Sequence, residues 1–431
     1  MPAMHPQELI ASRPMRPRQV LAIALAVALN ALDGFDVLSI SFASPGIARE
    51  WGIDRAALGV VLSMELIGMA LGSVLLGGLA DRYGRRPLTL ASLALMASGM
   101  ASATAAGGVV ALAAIRLATG IGIGGMLATT NAIAAEFSSA RRRNIAVALM
   151  AGGYPLGAVI GGTLASSLLA GHDWRSVFAL GACFSAGLFP LVLAFLPESV
   201  AWLATRRPPG AAMRIDRILA WLGHDPVACL PDEAAGVSRG GFRRLFARDL
   251  APVTLLLTLG YFAHILTFYF ILKWTPKIVA DLGFAPSAAG GVLVWANVGG
   301  LIGAVSVSLL TQYVALRTLT VATMLCAALL VALFGRSAPE LGALSLYAAA
   351  AGCCTNGAIV SLYALFARAF PTELRASGTG FVIGIGRGGA ALSPILAGLL
   401  FAHGSTLSTV AAVMAAGSLV AAIMIGLLPR R

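Results

Sequence analysis

The sequence has few charged residues: only 11% of its 431 positions are charged, whereas 58% are hydrophobic. A soluble domain carries about 25% charged residues, so this composition excludes a soluble globular protein. The sequence also lacks a nucleophile triad, a metal-ligand cluster and a Walker-type phosphate loop. Its five cysteines are scattered, without metal or redox spacing. We therefore expect no enzymatic activity, no cofactor and no direct use of ATP.

Long apolar runs are abundant instead, and a run of about 20 residues is long enough to cross a bilayer as a helix. The first run has no well-placed cleavage site, so we expect it to be retained as a helix. The runs predict an all-α membrane protein whose partner is the lipid bilayer. The twelve predicted spans are residues 19–44, 57–77, 88–106, 109–135, 145–169, 176–196, 250–275, 288–310, 317–335, 340–366, 378–402 and 405–428.

Basic residues are concentrated in the loops on one side of these spans. Cytoplasmic loops carry an excess of Lys and Arg, so both termini are predicted to be cytoplasmic. The net charge of +12 is spread over many short loops, which argues against a nucleic-acid partner. The loops on the other side contain few basic residues: Arg49, Arg55, Arg175, Lys277 and Arg336.

The chain divides near its middle. We predict a cytoplasmic tail at 1–18, a six-helix half at 19–196, a polar linker at 197–249 and a second six-helix half at 250–428. The junction Glu136-Phe-Ser-Ser-Ala-Arg141 and the junction Phe370-Pro-Thr-Glu-Leu-Arg375 each precede a helix interrupted by Gly and Pro. Repeated halves with such helices are typical of secondary transporters.

Two carboxylates, Asp33 and Asp36, interrupt the first apolar run. A carboxylate at bilayer depth costs about 2.5–3.5 kcal/mol on insertion scales, so such residues usually serve a function. Spaced three residues apart, the two side chains share one helical face and indicate a proton or substrate pathway. The alternative is a purely structural pair that an arginine neutralises.

The loop Gly77-Gly-Leu-Ala-Asp-Arg-Tyr-Gly-Arg-Arg-Pro87 closely resembles the signature loop of the major facilitator superfamily. A glycine at position 84 permits a tight turn, and Asp81 can pair with the arginines and hold one conformation. Arg116, Glu136 and Pro197-Glu198-Ser199 also resemble superfamily positions. The resemblance implies a conformational gate formed by Gly77, Asp81, Gly84, Arg85, Arg86, Glu136 and Glu198.

Within that superfamily, Asp33-Gly-Phe-Asp36, the segment from Tyr269 to Pro276 and the segment 370–375 resemble the aromatic acid:proton symporter family. The resemblance implies import of benzoate-like or hydroxybenzoate-like carboxylates with protons by a monomer in a bacterial inner membrane. Two alternatives remain open: a carrier of another organic anion or drug, including efflux by proton exchange, and a sensor that binds without transport.

Helix geometry places several charged residues near the membrane midplane. At 1.5 Å per residue, Asp33 and Asp36 lie about 21–26 Å from the start of the first span, and Arg116 reaches a similar level from the other side. We expect these three residues to meet. Glu65 is either a second protonation site or a partner of Arg387. Lys273 is expected to reach the outer surface.

Arg387 lies near the middle of the eleventh span, where its guanidinium suits a carboxylate substrate or, alternatively, backbone carbonyls of a neighbouring helix. His264 can titrate near neutrality, but a lone histidine is more often a hydrogen-bonded core residue. The remaining candidate lining residues of an aromatic pocket have packing as their alternative role. They are Tyr261, Phe268, Tyr269, Trp295, Asn297, Asn356 and Tyr363.

Overall fold

A computed structural model describes residues 6–225, 242–371 and 374–429. These residues form fifteen α-helices and a short 3-10 helix at Phe242–Phe246, with no strand among them. The helices are α1 (Pro6–Ser12), α2 (Pro17–Trp51), α3 (Arg55–Tyr83), α4 (Arg85–Thr104), α5 (Val109–Glu136), α6 (Arg143–Leu168), α7 (Arg175–Phe195), α8 (Val200–Arg206), α9 (Ala211–Leu222), α10 (Ala251–Asp281), α11 (Pro286–Leu310), α12 (Leu316–Phe334), α13 (Leu341–Ala369), α14 (Arg375–Ala402) and α15 (Leu407–Gly426).

Twelve of these helices, α2–α7 and α10–α15, are long and apolar enough to cross a membrane. In hydrocarbon every backbone N–H and C=O group needs an internal partner, and a helix supplies those partners within one segment. The prediction of an all-α protein with twelve spans is therefore confirmed, and the protein is a multi-pass membrane protein.

Three predicted spans end well before the helices do, and two of those ends were placed at a proline. The second span was expected to end at residue 77, but α3 continues to Tyr83. We expected the first span to end at residue 44 and the seventh at 275, but α2 continues through Pro45 and α10 through Pro276. Serine and threonine side chains can satisfy backbone groups near a proline in a membrane helix. Ser44 and Thr275 donate to the carbonyls of Ser41 and Ile271, one turn back.

The spans form two packed groups. Helices α2–α7 pack mainly on one another, as do α10–α15, and the groups meet along the pairs α3/α14, α6/α11 and α2/α10. We call the side where α2 begins at Pro17 and α15 ends at Gly426 the terminus side. The side where α2 ends at Trp51 is the opposite side. The division at 197–249 remains a prediction for the boundaries of independent units.

The two groups touch most closely near the opposite side. A Cβ added at Gly59 in α3 would lie 2.5 Å from the Pro394 carbonyl oxygen of α14. In the same way, a Cβ at Gly290 in α11 would lie 2.5 Å from the Ser166 hydroxyl of α6. Arg55 and Asp281 add an ion pair of 3.0 Å across this side.

On the terminus side the same four helices present exposed apolar residues. A Cβ at Gly380 or Gly384 of α14 would meet no atom of the described residues within 4 Å. The two groups therefore make their close contacts at the opposite side, whereas these four helices carry exposed apolar side chains on the terminus side. Exposed residues on the terminus-side portions of these helices include Val74, Leu75, Ile145, Leu149, Val305, Leu309 and Ile385.

The predicted tail and linker contain ordered helices that hydropathy did not indicate. Leu9 and Ile10 of α1 are buried, and α1 contacts α8. Buried Gln19 at the start of α2 donates to the Phe137 carbonyl and contacts His224 just after α9. The described linker helices α8 and α9 are therefore docked on the terminus side of the first group of helices.

Candidate functional site

Five ionisable side chains lie buried in the middle of the bundle, and we call them the charge cluster: Asp33 and Asp36 of α2, Glu65 of α3, Arg116 of α5 and Lys273 of α10. Each is 0% exposed. Arg116 forms an ion pair with one oxygen of Glu65, and Lys273 lies 3.5 Å from the other. Glu65 therefore binds a cation from each group of helices.

Asp33 and Asp36 carry the least satisfied atoms of the charge cluster. All four of their carboxyl oxygens are buried without a hydrogen-bond partner among the described residues. Arg116 does reach α2, but it donates to the backbone carbonyl of Asp36 at 2.9 Å and not to that carboxyl group. The expected meeting of the three residues is therefore not found: among the described residues Arg116 bonds the backbone of Asp36 but nothing of Asp33, and its carboxylate partner is Glu65.

Lys273 does not reach the outer surface, so the prediction that its side chain extends to water was wrong. Its ammonium group is buried and donates to the Val37 carbonyl of α2 as well as facing Glu65. The prediction failed because the span was expected to end at 275, which placed Lys273 two residues from water. The helix continues to Asp281, so Lys273 lies two turns inside it.

Arg387 pairs with a backbone carbonyl in the structure. Its Nη1 donates to the Met69 carbonyl of α3 at 2.9 Å, which is the helix-bonding alternative. Its other guanidinium nitrogens make no hydrogen bond with the described residues, and the side chain is only partly buried. Glu65 is not its partner, because Glu65 is held by Arg116 and Lys273.

A small cavity lies between the two groups of helices, beside the charge cluster. Tyr154 lines this cavity. Its hydroxyl lies near Tyr269 and Asp33, and Tyr269 in turn lies near Arg387. Asn356, in the wall of the cavity, donates a hydrogen bond of 2.8 Å to the Gly300 carbonyl. The lining residues are Tyr154, Pro155, Phe268, Ile271, Leu272, Ala296, Asn297, Gly300, Gly352, Thr355 and Asn356.

Five candidate lining residues are absent from the cavity lining: Tyr269, which lies beside Tyr154, and four that lie elsewhere. His264 uses both ring nitrogens in the core, at 2.9 Å from the Ser418 hydroxyl and 2.9 Å from the Thr355 carbonyl. Trp295 is 54% exposed on the outside of α11, so it is not a pocket residue. Tyr261 lies 3.1 Å from the Tyr363 hydroxyl and packs on Phe366, outside the cavity lining.

The signature loop turns at Gly84, between α3 and α4. Its φ of +108° is a conformation that side-chain-bearing residues rarely adopt, and a Cβ there would collide with the Glu198 carboxylate. Glu198 accepts hydrogen bonds from the backbone N–H groups of Arg85 and Ser199, both at 2.8 Å. Burial raises the pKa of the Glu198 carboxyl above its usual value, while these hydrogen bonds oppose the shift.

The remaining loop residues form a polar network around this turn. Asp81 pairs with Arg85 at 2.6 Å, and Arg85 lies 3.9 Å from Glu136. Glu136 in turn accepts from Ser199, and Arg86 donates to the Leu193 carbonyl at 2.6 Å. All these partners belong to α3–α8. Gly77 faces open space, with Ala128 3.9 Å from a Cβ built on it.

The second junction is only partly visible, because Thr372 and Glu373 lie outside the described residues. Phe370 is buried and Arg375 begins α14. Among the described residues no group of histidine, cysteine and acidic side chains has the arrangement of a metal site.

Sequence reasoning missed Tyr154 and misjudged Lys273. A signal for Tyr154 was present, since it precedes Pro155 inside the Gly-rich sixth helix, where backbones approach closely. For Lys273, the signal was the apolar segment around it, which leaves a buried ammonium group in need of a carboxylate.

Comparisons with known proteins agree with this geometry. The profile of the Major Facilitator Superfamily matches residues 23–339. The gallate transporter of Pseudomonas putida is 32% identical over 406 residues, covering 92% of this chain and 88% of that protein. The 4-hydroxybenzoate transporter of Pseudomonas aeruginosa is 31% identical, covering 92% and 90%. The 3-(3-hydroxy-phenyl)propionate transporter of Escherichia coli is 30% identical, covering 96% and 95%.

Solved structures share the fold at low sequence identity. A D-xylose-proton symporter superposes with a TM-score of 0.74 at 18% identity, covering 95% of this chain and 98% of that one. The inward open xylose transporter of E. coli also gives 0.74, at 16% identity, with coverages of 95% and 96%. The chain therefore belongs to the Major Facilitator Superfamily of membrane transporters, in the same family as these aromatic acid transporters.

Proposed function

We propose that this protein imports an aromatic carboxylate together with protons across a bacterial inner membrane. Three of its relatives carry gallate, 4-hydroxybenzoate or 3-(3-hydroxy-phenyl)propionate in their names, and all three substances are aromatic acids. In this proposal the two six-helix halves rock about the central cavity in alternating access. The protein works as a monomer, and it needs no cofactor.

The terminus side is assigned to the cytoplasm. The basic residues of the short loops are concentrated there, and cytoplasmic loops carry such an excess. We assign the structure to an inward-facing state, because the two groups contact closely at the opposite side and leave apolar residues exposed on the terminus side. A substrate in the cavity would leave towards the cytoplasm from this state.

The substrate site consists of the cavity and the cation beside it, and the cavity, at about 30 Å³ in this structure, must widen to admit an aromatic ring. Phe268 and Tyr154 offer aromatic surface to the ring of the substrate, and Asn356 offers an amide. The free part of the Arg387 guanidinium, which lies near Tyr269, is the anchor for the carboxylate. His264 and Tyr261 support this site through packing and do not touch the substrate.

The buried, unpartnered carboxyl groups of Asp33 and Asp36 are the observation that carries proton coupling. With all groups ionised, the charge cluster has three negative and two positive charges. One proton shared by the two aspartates would make the cluster neutral, and a neutral cluster is far less costly to bury than a charged one. The aspartates therefore bind the coupled proton, and Glu65 joins the two cations of the cluster.

The signature loop is proposed as the gate. Its network ties α3, α4, α5 and α8 together on the terminus side, so it can set how the first half moves as one body. The pair of Asp81 with Arg85 is present in this open state. Closing the terminus side would therefore require new partners from the second half, with the loop as their rigid support.

Reconstituted protein tests the proposal. Proteoliposomes with an inward proton gradient should accumulate labelled 4-hydroxybenzoate, and an uncoupler should abolish the accumulation. Asp33→Asn and Asp36→Asn should lose accumulation but retain exchange of labelled for unlabelled substrate, because exchange needs no net proton movement. Asp173→Asn, which changes an exposed carboxylate on the opposite side, is the control and should behave as the native protein.

Accumulation by both aspartate variants against a gradient would refute their coupling role. Proton-driven extrusion of a drug without uptake of any aromatic acid would instead establish an efflux carrier. Saturable binding without flux in either direction would make the protein a sensor.

A further inference from the structure

A groove of about 630 Å³ lies on the terminus side, away from the transport site, between the start of α4, the end of α7 and the linker helices α8 and α9. Its volume is within the range of about 300–1,000 Å³ typical of ligand pockets. One wall is apolar, with Leu90 and Phe195. Six larger side chains complete the groove: Tyr83, Arg86, Trp202, Arg214, Arg217 and Trp221.

The groove carries uncompensated positive charge. Arg214 and Arg217 make no hydrogen bond or ion pair with any described residue, and both are exposed on α9. The Nε of Arg86 is buried without a partner, although its Nη2 is bound to the Leu193 carbonyl. The acidic lining residue, Glu198, already accepts backbone hydrogen bonds from Arg85, Arg86 and Ser199. An anionic group in the groove would balance the charge of these arginines.

The groove also lies at the boundary of the membrane. It opens where α4 begins and α7 ends, next to the exposed apolar residues Leu191, Leu193 and Phe195 on the lipid-facing surface of α7. Tyrosine and tryptophan are the side chains preferred at headgroup level. On α9, Met213 is 69% exposed beside the arginines, as in a helix that lies in the interface plane.

We propose that this groove binds an anionic phospholipid of the cytoplasmic leaflet. Arg86, Arg214 and Arg217 hold the phosphate of its headgroup, because basic residues clustered beside a membrane attract anionic headgroups. The acyl chains extend from the groove along the lipid-facing surface of α4 and α7. Charge complementarity sets the sign of the ligand, and the apolar surface that continues into the bilayer favours a lipid over a soluble phosphate.

A lipid in this position would join two parts of the chain that are distant in sequence. Arg86 begins α4 beside the signature loop, whereas Arg214 and Arg217 belong to the linker helix. A shared phosphate ligand would therefore hold α9 on α4. We expect bound lipid to raise the melting temperature of the full-length protein.

The test uses full-length protein in neutral detergent, titrated with dioleoylphosphatidylglycerol. Retention of the lipid is followed by native mass spectrometry, and stability by thermal melting. Phosphatidylglycerol should be retained and should raise the melting temperature, whereas phosphatidylcholine and inorganic phosphate should do neither. Arg214→Gln with Arg217→Gln should weaken the binding about thirtyfold, because each basic residue near an anionic lipid contributes about a factor of five.

Two double variants make the test specific. Arg141→Gln with Arg142→Gln removes the same charge from the same side but outside the groove, and it should retain the lipid. Arg214→Lys with Arg217→Lys keeps the charge, and it should retain most of the binding even if the glutamine pair folds poorly. Equal weakening by the Arg141 and Arg142 pair would overturn the proposal, since binding would then follow net charge alone. Equal stabilisation by phosphatidylcholine or by inorganic phosphate would overturn it as well.

Discussion

One guanidinium nitrogen of Arg387 donates to the Met69 carbonyl, and the other two make no hydrogen bond with the described residues. A single side chain can thus join α14 to α3 and still bind an anion. If it anchors the substrate, Arg387→Lys should weaken binding of aromatic acids about tenfold and Arg387→Ala about a hundredfold, because hydrogen bonds to charged groups contribute about 1.5–3 kcal/mol. Competition against labelled 4-hydroxybenzoate measures both affinities.

Neutral analogues supply the control for this prediction. An aromatic amide lacks the anionic group, so its weak binding should change little in either Arg387 variant. Equal losses for the acid and the amide would make Arg387 a structural residue, and native affinity for acids in Arg387→Ala would remove it from the site.

Lys273 links the two groups of helices through a buried charge. Removing one partner of a buried ion pair costs about 3–5 kcal/mol, so Lys273→Met should lower the stability of the protein by about this amount. Thermal melting followed by tryptophan fluorescence detects the loss. Adding Glu65→Gln should restore part of the stability, because the double variant has the same net charge in the cluster as the native protein.

Lys277→Met is the matched control, four residues further along α10. Lys277 pairs with Asp281 at the end of the helix, where an ion pair contributes about 0–1 kcal/mol. If Lys277→Met were as destabilising as Lys273→Met, or if the double variant with Glu65→Gln were the least stable of all, the charge-balance account of the cluster would fail.

The linker helix α9 is held at its end by His224, which is buried and lies 3.2 Å from the Gln19 side chain. Burial lowers the pKa of His224, and the charges of Arg13 and Arg16 lower it further. When the linker is undocked, His224 has the ordinary histidine pKa of about 6.5. Below that pH the undocked state therefore binds more protons than the docked state. Docking should be fully stable above that pH and weaken as the pH falls.

Hydrogen exchange of α9 measures this effect. After correction for the intrinsic exchange rate, protection of α9 should be lower at pH 5.5 than at pH 7.5. His224→Gln should remove the pH dependence, because glutamine keeps a donor but does not titrate. His403→Gln, in an exposed loop, should leave it intact. Unchanged protection of native α9 between the two pH values would contradict the role of His224.

At the scale of the whole molecule, the contact between the two groups of helices at the opposite side can be fixed by a disulfide. In a variant without the five native cysteines, Ser166→Cys with Gly290→Cys should form a disulfide readily. A Cβ at position 290 lies 3.3 Å from the Ser166 Cβ, close to the usual separation in disulfides of about 3.5–4.5 Å. Oxidation should block net transport, and reduction should restore it.

The matched pair lies on the terminus side of the same two helices. Leu149 and Val305 are both exposed, so Leu149→Cys with Val305→Cys should stay reduced in the resting protein. Rapid cross-linking of this pair, together with none at 166 and 290, would show that the resting protein is closed at the terminus side instead.

The sequence by itself determined the membrane class, the twelve spans, the place of Asp33 and Asp36 inside the first span and the signature loop. It could do so because a bilayer demands about 20 apolar residues per helix, whatever the rest of the chain does. The same reasoning failed at Pro45 and Pro276, and it missed α1, α8 and α9. A proline destabilises a membrane helix little where side chains form hydrogen bonds with the backbone groups that it leaves free. Short amphipathic helices are stable only when they pack on a surface, which hydropathy does not show.

Only the tertiary structure decided which charges meet. Glu65 contacts Arg116, 51 positions away in the sequence, and Lys273, 208 positions away. The carboxyl groups of Asp33 and Asp36 have no hydrogen-bond partner among the described residues. Helical periodicity sets the depth of each side chain, but two residues at equal depth meet only if their helices are neighbours and face each other. That arrangement depends on the packing of the whole bundle, which no local stretch of sequence contains.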